Sequence, residues 1–194
     1  MTFGEDHALR HYAAEDIFLG LDATVLDFWT YAFGDLTMNT RRGLLAEFLV
    51  ARAVGCPGPR VEWDPHDVKA PDGTTIEVKS GAYIQAWRQG GPSKIVFSGL
   101  RGRLLDEDGR YSGEQEYNAE VYVFAVQTCQ DHDAFEVLDL AQWEFFVAPR
   151  TVVAATGYRS LSLPAVRAIA GPPVRFEQLA GAIAAARRGE EATL

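Results

Sequence analysis

Residues 67–79 bring two carboxylates and a lysine close together in a segment that alternates apolar and polar side chains. Asp67 opens the segment, and Glu77 and Lys79 close it. Between them, Pro71-Asp72-Gly73 has the composition of a three-residue hairpin loop, because proline fixes φ at the first position and glycine accepts the left-handed conformation at the third. We therefore predict a β-hairpin over residues 67–79.

The length of the loop decides which side chains meet across the hairpin. With three loop residues, Asp67 lies opposite Glu77, Lys79 shares the face of Glu77, and Val78 points into the core. With two loop residues, Asp67 would point to the other side of the sheet. Two carboxylates opposite each other repel by a few tenths to ~1 kcal/mol unless a cation lies between them. The three-residue loop therefore predicts a Mg²⁺ site, with Lys79 placed to hold a water or to stabilise charge on a phosphate.

The same residues carry a similarity to a known family. Asp67, followed after nine residues by Glu-Val-Lys at 77–79, resembles the PD-(D/E)xK signature of nucleases with the restriction-endonuclease-like fold. His66 stands where the family usually has a proline before the aspartate. With two flanking segments, the similarity covers about residues 39–99.

The flanking segments supply two further candidate site residues. Residues 42–49 resemble the family's helix with an additional acidic residue, here Glu47, and residues 83–87 resemble the glutamine-bearing segment that often follows the lysine, here Gln85. The resemblance adds both residues to the catalytic set. Their alternatives are a structural salt bridge for Glu47, for instance with Arg41, and an ordinary surface position for Gln85.

The resemblance implies an α/β fold in which a restriction-endonuclease-like mixed central β-sheet is flanked by helices. It implies a divalent-metal-dependent nuclease that hydrolyses phosphodiester bonds, with DNA as the expected substrate. Asp67, Glu77 and the backbone carbonyl of Val78 would bind Mg²⁺ (or Mn²⁺), and Glu47 would hold a second ion or its waters. Because two carboxylates favour the charged form of Lys79, we expect this residue to orient the attacking water and stabilise charge rather than to act as a base.

The charge of the chain is unevenly distributed. The net charge of −9 by itself argues against a nucleic-acid-binding protein. However, residues 41–110 contain 11 Lys or Arg and 9 Asp or Glu, and residues 78–105 contain five basic residues and no acidic one. A local positive patch favours phosphate contacts, and a chance run of surface charge is the alternative. The candidate nucleic-acid-binding residues are Arg41, Arg42, Arg88, Lys94, Arg101 and Arg103.

The length of 194 residues and the 47% of hydrophobic residues predict one domain with a substantial core. Within it we distinguish an N-terminal helical extension (1–36), a nuclease-like core (39–147) and a C-terminal helical part (150–194). The sequence has no basic and apolar leader and no apolar run of ~18 residues, which predicts a cytoplasmic protein without a membrane partner. The two cysteines lack metal-like spacing and are expected to be buried free thiols.

Hydrophobic periodicity and turn signals predict the remaining elements. The aromatic residues of the second helix are expected to pack in the core or, alternatively, to form a homodimer surface. The Asp-His-Asp segment at 131–133 is interpreted as a turn rather than a metal cluster, and the polar tail from residue 189 as frayed. The expected helices cover residues 1–20, 22–33, 39–54 and 175–188, and the expected strands beyond the hairpin cover residues 94–98, 119–126, 135–140 and 145–147.

Three other functions stay open from the sequence. The first is a catalytically inactive restriction-endonuclease-like module for binding or scaffolding, which the acidic total charge favours and the complete set of Asp67, Glu77 and Lys79 disfavours. The others are a phosphoesterase for small molecules and an interaction protein in which Asp67 and Lys79 form a structural ion pair. The sequence does not separate DNA from RNA, strand ends from internal bonds, or an active from an inactive site.

Overall fold

The N-terminal part of the chain forms a unit of its own. The computed structural model describes residues 11–56, 58, 65–103 and 113–191, and the chain divides into the units Met1–Leu36 and Thr37–Leu194. In the first unit, a short turn region leads into helix α1 (Val25–Phe33). Thr24 caps this helix, because its hydroxyl accepts a hydrogen bond from the Asp27 N–H and the Asp27 carboxylate accepts one from the Thr24 N–H.

Two predictions for this unit are wrong. Residues 11–20 contain no helix, because the chain there forms turns and a β-bridge to the start of α1; residues 1–10 lie outside the described part. Helix α1 begins three residues later than expected, and none of its residues is buried. The predicted core packing of its aromatic side chains therefore does not occur, and the homodimer surface stays a prediction. The exposed fractions are 50% for Phe28, 39% for Trp29 and 89% for Tyr31.

The second unit is a mixed α/β structure with an open sheet. In the described residues the strands are β1 (Val68–Lys69), β2 (Thr75–Ala82), β3 (Val96–Ser98), β4 (Val121–Gln127), β5 (Trp143–Pro149) and β6 (Ser160–Ser162), and the helices are α2 (Asn39–Ala53), α3 (Arg150–Ala155), α4 (Leu163–Ala170) and α5 (Phe176–Glu191). The sheet has the strand order β1-β2-β4-β5, in which β2 and β4 are parallel and the two outer pairs are antiparallel. A separate antiparallel pair joins β3 to β6. Helices flank the sheet, as predicted.

Strand β4 lies at the centre of this sheet. All seven of its residues are buried, so the strand predicted at 119–126 is covered on both faces. On one face, Tyr122 and Phe124 pack into a core that β3, β6 and α4 complete. Helices α2 and α5 contact the sheet and each other, and Leu179 and Ile183 of α5 are buried.

The hairpin has the predicted three-residue loop. Val68 pairs with Ile76, and the N–H of Ala70 donates to the carbonyl of Thr74 at 2.9 Å. Gly73 adopts a φ of 91°, the left-handed conformation that the loop requires. This register keeps the side chains of β2 in the expected alternation, with Val78 buried.

Three predicted strands need correction. Strand β3 begins later than the expected 94–98 segment and pairs with β6 rather than with the main sheet. Residues 135–140 form turns, because the Glu136 and Asp139 carboxylates accept hydrogen bonds from backbone N–H groups two residues ahead of each. Strand β5 extends beyond the expected 145–147 segment in both directions.

The C-terminal helix is confirmed, but its end is better anchored than the sequence indicates. Helix α5 continues to Glu191, and Glu190 is only 2% exposed. The Glu190 carboxylate accepts hydrogen bonds from Arg150 Nε at 2.9 Å and from the N–H of Thr151 at 2.7 Å. These contacts prevent the predicted fraying at residues 189–191; residues 192–194 lie outside the described part.

Other expectations concern the cysteines, the acidic turn and membranes. Cys56 and Cys129 are free thiols as predicted, although both are only half-buried. The 131–133 segment is a turn, as predicted, in which the Asp131 carboxylate accepts a hydrogen bond from the N–H of Asp133.

None of the helices in the described ranges combines the length and the apolar character needed to cross a bilayer.

Gly81 of β2 leaves no room for a side chain, since an ideal Cβ there would lie 2.5 Å from Ile95 Cγ2. We expect Gly81→Ala to lower the free energy of unfolding by about 1–3 kcal/mol through overpacking, and the melting temperature by roughly 2–4 °C per kcal/mol. Thermal unfolding followed by circular dichroism measures this change. Gly90→Ala is the matched control, because nothing lies within 4 Å of a Cβ there. An unchanged melting temperature for Gly81→Ala would contradict the close packing.

Candidate functional site

A polar cleft of about 230 Å³ opens beside the hairpin, at the start of β2. Asp67 and Glu77 lie on its wall, so the structure brings the two predicted carboxylates together. The turn after β3 and the beginning of β4 close the other sides. The remaining lining includes His66, Gly99, Arg103, Asn118 and Tyr122.

Asp67 is fixed at the edge of β2. The paired part of β1 begins at Val68, and just before it the Asp67 carboxylate accepts a hydrogen bond from the N–H of Val78 at 2.8 Å. Because the N–H and C=O of one strand residue point to the same side, the carbonyl of Val78 also points toward Asp67. The Asp67 carboxylate, the Glu77 carboxylate and the Val78 carbonyl are therefore neighbouring oxygen donors.

Glu77 and Lys79 form a direct ion pair on the same face of β2. Lys79 Nζ lies 2.5 Å from Glu77 Oε1, and the two side chains are 22% and 17% exposed. Lys79 reaches the turn after β3, where a Cβ on Gly99 would come within 3.9 Å of Nζ. Gly99 has a φ of 69°, which favours glycine and leaves this space open.

The surroundings of the Glu77 carboxyl disfavour its negatively charged form. Its pKa is raised to about 6, first because the group is buried and second because of the negative charge of Asp67. The charge and hydrogen bond of Lys79 lower this pKa, and the charge of Glu47 raises it further. Burial and the two negative neighbours of Glu77 therefore outweigh the compensation by Lys79.

Glu47 of helix α2 also influences Glu77 through its charge. The helix packs on the sheet through Ala46, Leu49 and Val50, while Phe48 is exposed, so α2 is buried on one side only. Glu47 itself is half-buried, and its charge acts on Glu77.

The donor set of the cleft fits a hard divalent cation. Carboxylate and carbonyl oxygens are the ligands that Mg²⁺ and Mn²⁺ prefer, and a cation would relieve the repulsion that raises the pKa of Glu77. In the described ranges, no group of three or more His, Cys, Asp or Glu side chains is arranged to hold a metal ion. The fit thus depends on Asp67, Glu77 and the Val78 carbonyl, with water or substrate oxygens completing the shell.

Gln85 and Arg42 lie in a different pocket, at the other end of β2. Gln85 is half-buried, its side-chain oxygen accepts from Arg42 Nη2 at 3.2 Å, and its nitrogen donates to the carbonyl of Ala82 at 2.8 Å. The structure therefore separates Gln85 from the cleft that contains Glu77. Arg42 is only 3% exposed, so the surface position considered for it is wrong.

The other predicted basic residues are distributed around the unit. Arg103 lines the cleft and Lys94 lines the second pocket. Arg101 is engaged with the fold, since Nη2 donates to the carbonyl of Gly157 at 2.6 Å and the guanidinium lies 4.8 Å from the centre of the Tyr117 ring. Of the last two, Arg88 is exposed and Arg41 is half-buried.

Three cleft residues were not among the sequence-based candidates: His66, Asn118 and Tyr122. His66 directly precedes Asp67, and this adjacency was a usable signal. Tyr122 stands beside Glu77 in the parallel register of β2 and β4; a tyrosine in an otherwise apolar strand was a weaker signal. Asn118 lies in a connection and carries no signal in the sequence.

Comparisons with protein-family models, with curated proteins and with solved structures found no match for this chain. The function must therefore be inferred from the site itself.

The raised pKa of Glu77 makes stability depend on pH. The folded state binds the proton more tightly than the unfolded state, whose carboxyl has a pKa near 4.5, so the penalty is fully present above about pH 6 and disappears below about pH 4.5. Without divalent cations, we expect Glu77→Gln to be more stable than the wild type at pH 8, by up to about 2 kcal/mol. Urea unfolding at pH 8 and pH 4.5 in the presence of a chelator measures the difference.

The control for this prediction is Glu116→Gln, because Glu116 is exposed and its side chain does not line the cleft. Its stability should follow that of the wild type at both pH values. A Glu77→Gln protein that is less stable at pH 8 would mean that the ion pair with Lys79 outweighs the burial of the carboxylate.

Proposed function

We propose that this chain is a divalent-metal-dependent nuclease that hydrolyses phosphodiester bonds, with DNA as the preferred substrate. The observation that carries the proposal is that Asp67 and Glu77 line one cleft while Lys79 forms an ion pair with Glu77, and that negative neighbours raise the pKa of Glu77. Two carboxylates with a neighbouring lysine suit phosphoryl transfer, in which positioning and charge stabilisation do most of the catalysis.

Asp67, Glu77 and the carbonyl of Val78 would hold Mg²⁺ or Mn²⁺, which when bound supplies a Lewis acid that polarises the phosphate and neutralises the charge of the leaving oxygen. The hydrogen bond from the Val78 N–H holds the Asp67 carboxylate in place. Glu47, whose charge acts on Glu77, would hold waters around the ion or a second ion.

Lys79 is the residue that faces the reacting groups. Its ammonium contacts the Glu77 carboxylate, so we assign it an orienting and charge-stabilising role. An ammonium has three donors, so one bond to Glu77 leaves two for the attacking water and for a phosphate oxygen. Lys79 would then orient the water for in-line attack and stabilise the negative charge that develops on the phosphate. Arg103, on the wall of the cleft, adds a contact to the phosphate backbone.

A binding or scaffolding module without catalysis is the second candidate. The ion pair between Lys79 Nζ and Glu77 Oε1 favours it, because that contact already occupies one carboxylate oxygen. Such a module would bind nucleic acid in the same cleft and leave it intact.

Metal binding separates a catalytic cleft from a structural ion pair. We expect calorimetry to show Mn²⁺ or Mg²⁺ binding to the wild type and none to the Asp67→Ala, Glu77→Ala double variant, because the double variant lacks both charged ligands. The control is Asp133→Ala with Glu116→Ala, which removes two exposed carboxylates outside the cleft. Absence of metal binding by the wild type, even with DNA present to complete the coordination shell, would exclude the nuclease.

The role of Lys79 is tested by replacement with a residue of similar length. We expect Lys79→Met to lower the cleavage rate of plasmid and oligonucleotide substrates about 10²–10³-fold while metal binding persists. Lys69→Met, an exposed lysine of the same hairpin, should leave cleavage unchanged. A wild type that binds metal and DNA but cuts neither substrate would favour the binding module.

A further inference from the structure

A second pocket, of about 160 Å³, lies at the end of β2 against the beginning of α2. We call it the Arg42 pocket. Its polar lining residues are Asn39, Arg42, Ser80, Gln85 and Lys94, and none of its lining residues in the described part of the chain is acidic.

Within the described residues, Arg42 is a buried cation without a carboxylate partner. It is 3% exposed, and its hydrogen bonds go to the Thr37 carbonyl at 3.1 Å, the Asn39 side-chain oxygen at 2.7 Å and the Gln85 side-chain oxygen at 3.2 Å. All three acceptors are neutral. Its Nε is also buried, and within the described residues it has no hydrogen-bond partner. Buried charges are normally paired, so this guanidinium lacks its counter-charge.

The lining of the pocket selects the kind of ligand. Arg42 and the exposed Lys94 supply two positive charges, and the Ser80 hydroxyl and side-chain amides supply neutral hydrogen-bonding groups. A compact anion with several acceptor oxygens matches this set, and arginine suits phosphate because its donors form a planar fork.

The position of the pocket relates it to the cleft. Ser80, Gly81 and Ala82 of the pocket follow Lys79 directly in strand β2. At ~3.3 Å per residue, the far end of the pocket is roughly 10 Å along the strand from Lys79. Gly81 shares the face of Lys79, whereas Ser80 and Ala82 point to the opposite face, so a polynucleotide strand with one phosphate at Lys79 would reach the pocket by passing around the end of β2.

We propose that the Arg42 pocket binds a phosphate group of the substrate strand, adjacent to the bond that is cut. The inference rests on the proposed nuclease function and assigns Gln85 to phosphate binding, since it positions Arg42, rather than to the reacting centre. The phosphate is either the terminal phosphate of a strand end or an internal phosphodiester, and the experiment below separates the two.

The test is binding without catalysis. Fluorescence anisotropy in a chelator measures the affinity for a single-stranded 12-nucleotide DNA with a 5′-phosphate, with a 3′-phosphate, or with hydroxyls at both ends, over a series of salt concentrations. Lys94→Met is the main variant because Lys94 is exposed and its replacement leaves the core intact. Arg42→Met is the second variant, and its circular dichroism spectrum shows whether it folds. Arg188→Met, an exposed arginine of α5, is the control.

We expect Lys94→Met to weaken binding about 5–10-fold and to reduce the slope of log K against log salt by about one, and Arg188→Met to do neither. If the pocket holds a terminal phosphate, the wild type prefers one phosphorylated DNA and Lys94→Met loses the preference. If it holds an internal phosphodiester, all three DNAs weaken equally. Wild-type affinity and salt slope for Lys94→Met with all three DNAs would overturn the proposal.

The failure of this proposal is distinguishable from the failure of the proposed function. The pocket is tested by affinity in a chelator, whereas the nuclease is tested by metal binding and cleavage. A protein that cuts DNA and whose affinity does not depend on Lys94 has a catalytic cleft and no phosphate pocket. A protein that never cuts DNA but loses affinity with Lys94→Met has the pocket without the nuclease.

Discussion

The site depends on the register of the hairpin, which brings Asp67 and Glu77 to the same cleft. The three-residue loop sets this register. Gly73 closes the loop in the left-handed conformation, and Thr74 is buried with its hydroxyl and N–H bonded to the Asp72 carboxylate. A shift of one residue would turn Val78 toward the cleft and Glu77 toward the apolar side. The parallel pairing of β2 with β4 sets the same alternation, since Val78 lies beside Val123 and Glu77 beside Tyr122.

The parts of the fold that local chemistry determines were predictable from the sequence. The hairpin follows from the residues of its turn, strand β4 from a run between residues 121 and 126 that is apolar apart from Tyr122, and helix α5 from its apolar spacing. The errors arise where side chains override such patterns. Residues 135–140 read as a strand, but the carboxylates of Glu136 and Asp139 bond the backbone into turns, and Trp143 Nε1 donates to the carbonyl of Val137 at 2.9 Å.

The candidate site shows the same division. Asp67, Glu77 and Lys79 are predictable because the hairpin holds them together over a short span of sequence. Arg42 is not, because its burial depends on Gln85, 43 residues away. No local pattern distinguishes a buried arginine at the start of a helix from an exposed one. The net charge of −9 is equally uninformative, since it does not describe the field at either end of β2.

The charges along β2 argue for an external partner. Burial and the charges of Asp67 and Glu47 raise the pKa of Glu77 at one end of the strand, whereas burial alone lowers the pKa of the Arg42 guanidinium at the other end. Within the described residues, no neighbouring charge contributes to the lowered pKa of Arg42, so Glu77 and Arg42 do not neutralise each other.

A carboxylate at position 85 would pair with Arg42 directly, yet the chain has Gln85 there, whose neutral oxygen holds the guanidinium and leaves its charge uncompensated. The described part of the chain thus keeps an excess negative charge near one end of β2 and an excess positive charge, on Arg42 of α2, near the other end, at a cost to stability. A divalent cation at the carboxylates and a phosphate at the arginine would compensate both. A polynucleotide with its metal ion provides the cation and the phosphate together, so the proposed nuclease accounts for the uncompensated charge near both ends of β2. A structural ion pair between Glu77 and Lys79 accounts for the charge near one end.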